Sequence, residues 1–242
     1  MTSRELLLMA IPACVALAGG VLAALWHPSH RARSLIQHFA AGVVLAALAV
    51  ELLPEIEREH APGWVLGGSF ALGSLFMFGL KIGTQKLNAG GAKTKGASVP
   101  KGLLLATFID VAVDGFILGA GFAAGGETGA VLAIGLSVEL LFLGLALASE
   151  ATRGWRIIAI SGAIGGTVLV AAVIGKVVLA GASHAVIGGA LSFAAAALLY
   201  LVTEELLMEA HEGDEPETPF STLVLFAGFL AFWTVQLVGR GR

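Results

Sequence analysis

The chain has 242 residues, of which 57% are hydrophobic and only 13% charged, with a mean hydropathy of +0.90. Soluble domains carry about 25% charged residues, so this composition excludes a water-soluble domain and points to a protein built for lipid. The net charge of −3 names no partner by itself; the distribution of charge along the chain carries the information.

Eight apolar runs are long enough to cross a bilayer as helices of about 20 residues. They cover 5–26, 34–54, 64–81, 102–125, 128–149, 157–180, 185–208 and 220–238. The first has the basic start of a signal peptide at Arg4, but it is too long for a signal core and is followed by His27, Pro28, His30, Arg31 and Arg33, so it reads as a span. Cys14, the single cysteine, forbids an intrachain disulfide and reads as plain packing. The expected fold is all-α and polytopic, one transmembrane domain over 1–242. The Gly-, Lys- and Ala-rich segment 82–101 is expected as its flexible cytoplasmic connector. The 33 glycines let the helices approach closely.

Lys and Arg in short loops set orientation. One side gathers Arg31, Arg33, Lys81, Lys86, Lys93, Lys95, Lys101, Arg153 and Arg156, against Arg4, Arg58, Arg240 and Arg242 on the other. The richer side is expected in the cytoplasm, with both termini outside it, in the cell (inner) membrane. Lys176, near the end of the sixth run, is expected to snorkel toward the outer side.

The fourth run carries Asp110 and Asp114 near its middle, and the fifth carries Glu139 near its own. Residues four apart on a helix share a face. Each acid at mid-membrane costs roughly 2.5–3.5 kcal/mol, so three come to on the order of 10 kcal/mol. Intramembrane acids mark an ion path or relay by default, although protonated acids can also clasp two helices together. Asp110, Asp114 and Glu139 are therefore the candidate metal ligands, with Thr107, three residues before Asp110, a further oxygen. An all-oxygen set favours Mn²⁺ or Mg²⁺ over zinc.

An internal repeat is the most specific pattern. Residues 39–55, FAAGVVLAALAVELLPE, align without a gap with 193–209, FAAAALLYLVTEELLME. Phe39, Ala40, Ala41, Leu45, Glu51, Leu52, Leu53 and Glu55 match Phe193, Ala194, Ala195, Leu199, Glu205, Leu206, Leu207 and Glu209. The second run points outward and the seventh inward, which is the pattern of inverted-topology repeats in secondary transporters. Each mouth thereby acquires acids. Outside are Glu51, Glu55, Glu57, Glu59 and His60; inside are Glu204, Glu205, Glu209, His211, Glu212, Asp214, Glu215 and Glu217. Such runs are commonly solvated faces; Glu51, Glu205, Glu209 and His211 are the mouth residues expected to meet a cation. His38, early in the second run, reads first as a hydrogen-bonded structural histidine.

These features together resemble the ZIP (Zrt-, Irt-like) divalent metal transporters. The resemblance rests on eight spans with outside termini, on the endings ELLPE and TEELLMEAH, and on central acids in spans 4 and 5. It implies a 3+2+3 bundle working as an elevator, with spans 1, 4, 5 and 6 sliding against 2, 3, 7 and 8, and Zn²⁺, Fe²⁺ or Mn²⁺ as cargo. The central motifs depart from the family's H-N-x-P-E-G and H-E-x-P-E-G. Asp110 and Asp114 stand at the first and last ligand positions of span 4, and Glu139 at the first of span 5. Val111, Leu140 and Leu143 replace other ligands, and both prolines are gone. The resemblance then implies at most one metal held by three carboxylates, and helices 4 and 5 straighter than usual. No resident cofactor, enzymatic activity or nucleic acid is expected; the partners are a divalent ion, the bilayer and, as an open option, a second copy in a homodimer. The alternative is a ZIP-like protein that has lost metal transport and serves as a proton or other cation pathway, or as a scaffold or sensor.

Overall fold

The computed structural model describes residues 2–25, 30–90, 101–146, 155–207 and 219–240. Every regular element among them is helical: α1 (Ser3–Leu25), α2 (His30–Ala47), α3 (Leu53–Arg58), α4 (Gly63–Gly90), α5 (Lys101–Ala124), α6 (Gly126–Ala146), α7 (Trp155–Leu179), α8 (His184–Leu201) and α9 (Pro219–Arg240). A π-helical turn, Leu48–Leu52, joins α2 to α3, and a second, Val202–Leu206, extends α8. Eight of these stretches are long and apolar enough to cross a membrane: Ser3–Leu25, Ser34–Arg58, Gly63–Gly83, Thr107–Ala124, Gly126–Leu145, Trp155–Leu179, His184–Glu204 and Phe220–Val238. The chain is a multi-pass membrane protein. Only helices satisfy their own backbone hydrogen bonds within such apolar segments.

One difference from the expected spans has a physical cause. α4 continues to Gly90, well into the segment expected as a connector. Hydropathy stops at Lys81, but the following Ile-Gly-Thr-Gln-Lys-Leu-Asn contains no proline to end the helix. Residues 91–100 of that connector lie outside the described residues. Lys176, in the last turn of α7, pairs with Glu5 in the first turn of α1 and stands 5.7 Å from the Phe122 ring centroid. α5 and α6 run unbroken, as expected of helices without internal proline.

The helices sort into two groups. α1, α5, α6 and α7 pack chiefly on one another, whereas α2 pairs with α9 and α4 with α8. Glycines set these contacts. A Cβ on Gly115 would lie 2.4 Å from Val168 O, and one on Gly19 would lie 2.6 Å from Leu141 O. Backbones this close exchange dispersion contacts that lipid tails cannot supply. In the second group, a Cβ on Gly42 would lie 2.0 Å from Leu225 O. Gly42→Val is therefore expected to force α2 from α9 at a cost of at least about 1–3 kcal/mol. In detergent this should read as a fall in Tm of at least about 2 °C, while Gly166→Val, which meets nothing within 4 Å, leaves Tm unchanged. Equal effects at the two positions would refute close packing at Gly42.

The repeat is visible in three dimensions. Both π-helical turns fall at the same repeat positions, Leu48–Leu52 in one copy and Val202–Leu206 in the other. Pro54 lies two residues past the first turn, but Met208 holds that place in the second copy, so proline does not cause them. α8 begins beside the end of α3, where His184 Nδ1 lies 2.7 Å from Glu59 Oε2. The two copies thus run antiparallel, and their π-helical turns lie toward opposite ends of the bundle.

Candidate metal centre

α5 and α6 pack side by side, and each presents its central acids to the other. One oxygen each from Asp110, Asp114 and Glu139 lies within 4.8 Å of the other two. Asp114 is 2% exposed and Glu139 6%. Asp110 is partly buried as a residue, but its Oδ1 is enclosed. Asp110 Oδ1, Asp114 Oδ2 and Glu139 Oε2 are buried atoms that accept no hydrogen bond from the described residues, while the three residues take part in further polar or electrostatic contacts.

Two oxygens that share one ion at 2.0–2.2 Å are separated by at most about 4.4 Å. The cluster, bounded at 4.8 Å, is a few tenths of an ångström from closing on such an ion. At an effective dielectric of 20, two carboxylate charges that far apart repel by about 3.5 kcal/mol. A cation or a proton relieves this, and a divalent ion matches two of the three charges.

The positions beside the acids are apolar. Val111 and Leu140 are both 0% exposed and belong to an apolar cluster with Ala16, Ile164 and Val168, against which Leu143 also packs. Val111 and Leu140 each lie one residue after an acid, so helical geometry turns them away from the acids. They face the α1–α7 side of the bundle. Where the resemblance places further ligands, this chain has core.

Thr107 stands on α5 one turn before Asp110, partly buried and in polar contact. Of the mouth residues, Glu51 is 3% exposed and lies within the first π-helical turn, where Gln236 Nε2 donates to its Oε2. Glu205 falls in the second such turn; Glu209 and His211 lie outside the described residues. The acids expected as a solvated face divide in two. Glu51, Glu55 and Glu59, four residues apart, are buried, whereas Glu57 is exposed. Arg58 lies 2.9 Å from Glu55 and His184 2.7 Å from Glu59, so the deeper acids hold partners. His38 places Nδ1 2.8 Å from Ser34 O one turn earlier, which agrees with its structural reading.

Ser161 and Gln236 are among the buried polar residues that escaped sequence reasoning. Ser161 of α7 is 0% exposed, and its Oγ has no partner among the described residues; it occupies the space left by Gly20 of α1. Gln236 of α9 is 7% exposed. A single uncharged polar residue in an apolar run carries no signal in hydropathy or charge.

Neither a protein-family model nor any curated protein sequence matches the chain.

Proposed function

We propose that this protein is a secondary transporter or facilitator for a divalent metal ion, a divergent relative of the ZIP transporters, in the cell (inner) membrane. The observation that carries the reading is the convergence of Asp110, Asp114 and Glu139 within 4.8 Å inside two membrane-length helices. Three mid-membrane acids are costly to insert, and an ion path is the usual reason to keep them. The ion binds one oxygen of each acid, with the Thr107 hydroxyl as a further ligand. The all-oxygen set favours Mn²⁺ among divalent cargoes, while the family resemblance adds Zn²⁺ and Fe²⁺.

Movement is assigned to the group α1, α5, α6 and α7, which carries the acids as one unit against α2, α4, α8 and α9. Two observations support this. The two groups pack less extensively on each other than within themselves. A groove of about 360 Å³ also lies between α5 and helices α4 and α8, lined by Phe76, Phe108, Ile109, Val113, Phe116 and Phe193. This apolar lining permits sliding at small cost. The antiparallel repeat in the second group supplies the related inward and outward arrangements that alternating access needs.

Proteoliposome uptake with Mn²⁺, Fe²⁺, Zn²⁺ and Mg²⁺ tests the reading. Saturable uptake of at least one ion, lost in Asp114→Asn, is expected. Absence of uptake and of bound metal under every condition would leave the scaffold or proton reading in its place. Orientation is tested separately with Lys86→Cys in a Cys14→Ser background. Lys86 is exposed near the end of α4, on the side expected in the cytoplasm. Impermeant thiol reagents should spare it in intact cells and modify it after lysis; labelling from outside would invert the topology.

A further inference from the structure

α4 and α8 run side by side in the same direction, held close at Gly73, where a Cβ would lie 2.6 Å from Phe193 O. Residues four and seven apart share a helix face. Val65, Ser69 and Phe76 therefore form one wall along α4, and Val186, Ala190 and Phe193 a second along α8. A cavity of about 460 Å³ lies between the two helices, lined by Trp64 at one end and Phe193 at the other. Phe193 also lines the groove of about 360 Å³ against α5, and its ring centroid stands 5.6 Å from that of Phe76. The two spaces meet at Phe193 and make one furrow.

The spans fix its depth in the membrane. Trp64 opens the span of α4, Gly63–Gly83, and is 81% exposed; tryptophan in that position marks the headgroup level. Phe193 stands near the middle of its own span, His184–Glu204. The rise from His184 to Phe193 is about 14 Å at 1.5 Å per residue, against about 15 Å for half of a 30 Å hydrocarbon core. The furrow thus starts among headgroups and reaches mid-membrane, one leaflet deep. Apart from Ser69 and the Trp64 indole N–H, the side chains along it are apolar. Water finds no set of partners there, and empty walls would forgo dispersion contacts. A helix from a second copy would follow the whole of α4, whereas the α4 wall of the furrow stops at Phe76, short of the span's end at Gly83.

We propose that this furrow binds one acyl chain of a bilayer phospholipid from the leaflet on the Trp64 side. The headgroup lies at the level of Trp64 and the exposed His184. The chain passes Val186 and Ala190, and its end packs on Val113 and Phe116 of α5. Ile109 and Val113 each precede an acid of the central cluster, so the chain's end touches both helix groups at the depth of that cluster. Binding does not rest on the transport reading and is measured without metal.

The test uses the full chain, stripped of lipid by extended washing in detergent and held with chelator. Dioleoyl or dihexanoyl phosphatidylcholine is added at low mole fraction, and retained lipid is counted by native mass spectrometry alongside Tm. Retention of one dioleoyl lipid per chain, with a saturable rise in Tm, is expected; dihexanoyl chains end before Phe193 and should give neither. Ala190→Trp fills the furrow and should abolish both effects, while Val177→Trp, on the exposed face of α7, should keep them. Ala112→Phe fills the furrow from the α5 side and gives the same reading if Ala190→Trp does not fold. No retained dioleoyl lipid, equal retention of both lipids, or wild-type retention in the filled variants would overturn the proposal. So would a lipid-free dimer, seen by light scattering, that Ala190→Trp dissociates, since the furrow would then belong to a second copy.

Discussion

Asp114→Asn is expected to abolish metal binding and transport while leaving a protein that is more stable than wild type when metal is absent. The substitution is isosteric, so packing around a residue only 2% exposed is retained. It removes one of three charges whose oxygens lie within 4.8 Å. A divalent ion loses a full carboxylate from a three-carboxylate set, and affinity should fall at least about 100-fold, or roughly 2.8 kcal/mol. The empty site gains, because repulsion of about 3.5 kcal/mol per charged pair is relieved in part. If about 1 kcal/mol of that survives sharing of protons, Tm without metal rises by about 2–4 °C. Asp110→Asn and Glu139→Gln should behave alike. Thermal unfolding with and without Mn²⁺, alongside uptake, separates the outcomes: normal uptake in all three variants would remove these acids from the mechanism, and a lowered metal-free Tm would favour a hydrogen-bonded clasp. A gain in stability with loss of activity is the usual signature of residues held against stability for function.

How much of this was legible in the sequence depends on how each feature declares itself. The spans were, because an apolar stretch of bilayer length is hard to bury anywhere but in lipid. Their ends were less so: α4 runs on to Gly90 because helix propensity persists after hydropathy has ended, and an apolar-run criterion is blind to a helix leaving the bilayer. The triad was legible because spacing and depth fix it; Asp110 and Asp114 share a face by helix geometry, and Glu139 sits at the matching depth of the next run. The burial of Val111 and Leu140 in core follows from the same geometry, one position further round. Partners distant in sequence were not legible. Glu5 and Lys176 meet across 171 positions, and Glu51 and Gln236 across 185; neither pair leaves a local pattern. Nor were the π-helical turns. Their residues are ordinary helix formers, and only their recurrence at matched places of the repeat shows that the E-L-L segment, rather than the neighbouring Pro54, is common to both.

Metal and proton are expected to compete for the central site, so that metal affinity falls steeply as pH falls. Asp110 and Asp114 are one turn apart, and Glu139 faces them from α6 with all three oxygens within 4.8 Å. Without a cation, three charged carboxylates would carry about 3.5 kcal/mol of repulsion for each pair. The empty site is therefore expected to share a proton over the three groups as a coupled set. A metal ion binds the deprotonated oxygens, so its arrival expels that proton. Raising the proton concentration stabilises the empty, protonated site against the metal-bound one, and affinity drops by up to about tenfold per pH unit for each proton released. Over the range where the shared proton is lost, affinity rises with pH, and above it the dependence flattens. Isothermal titration of Mn²⁺ into the purified protein, in two buffers of different ionisation enthalpy, counts the protons directly. At least one proton per metal near neutral pH is expected. In Asp114→Asn the remaining two acids repel less and hold less proton, so proton release per metal, where binding is still measurable, should fall. A count of zero, with affinity flat from about pH 5.5 to about pH 8, where buried acids titrate, would show that the three carboxylates stay charged together and that something other than a proton balances them.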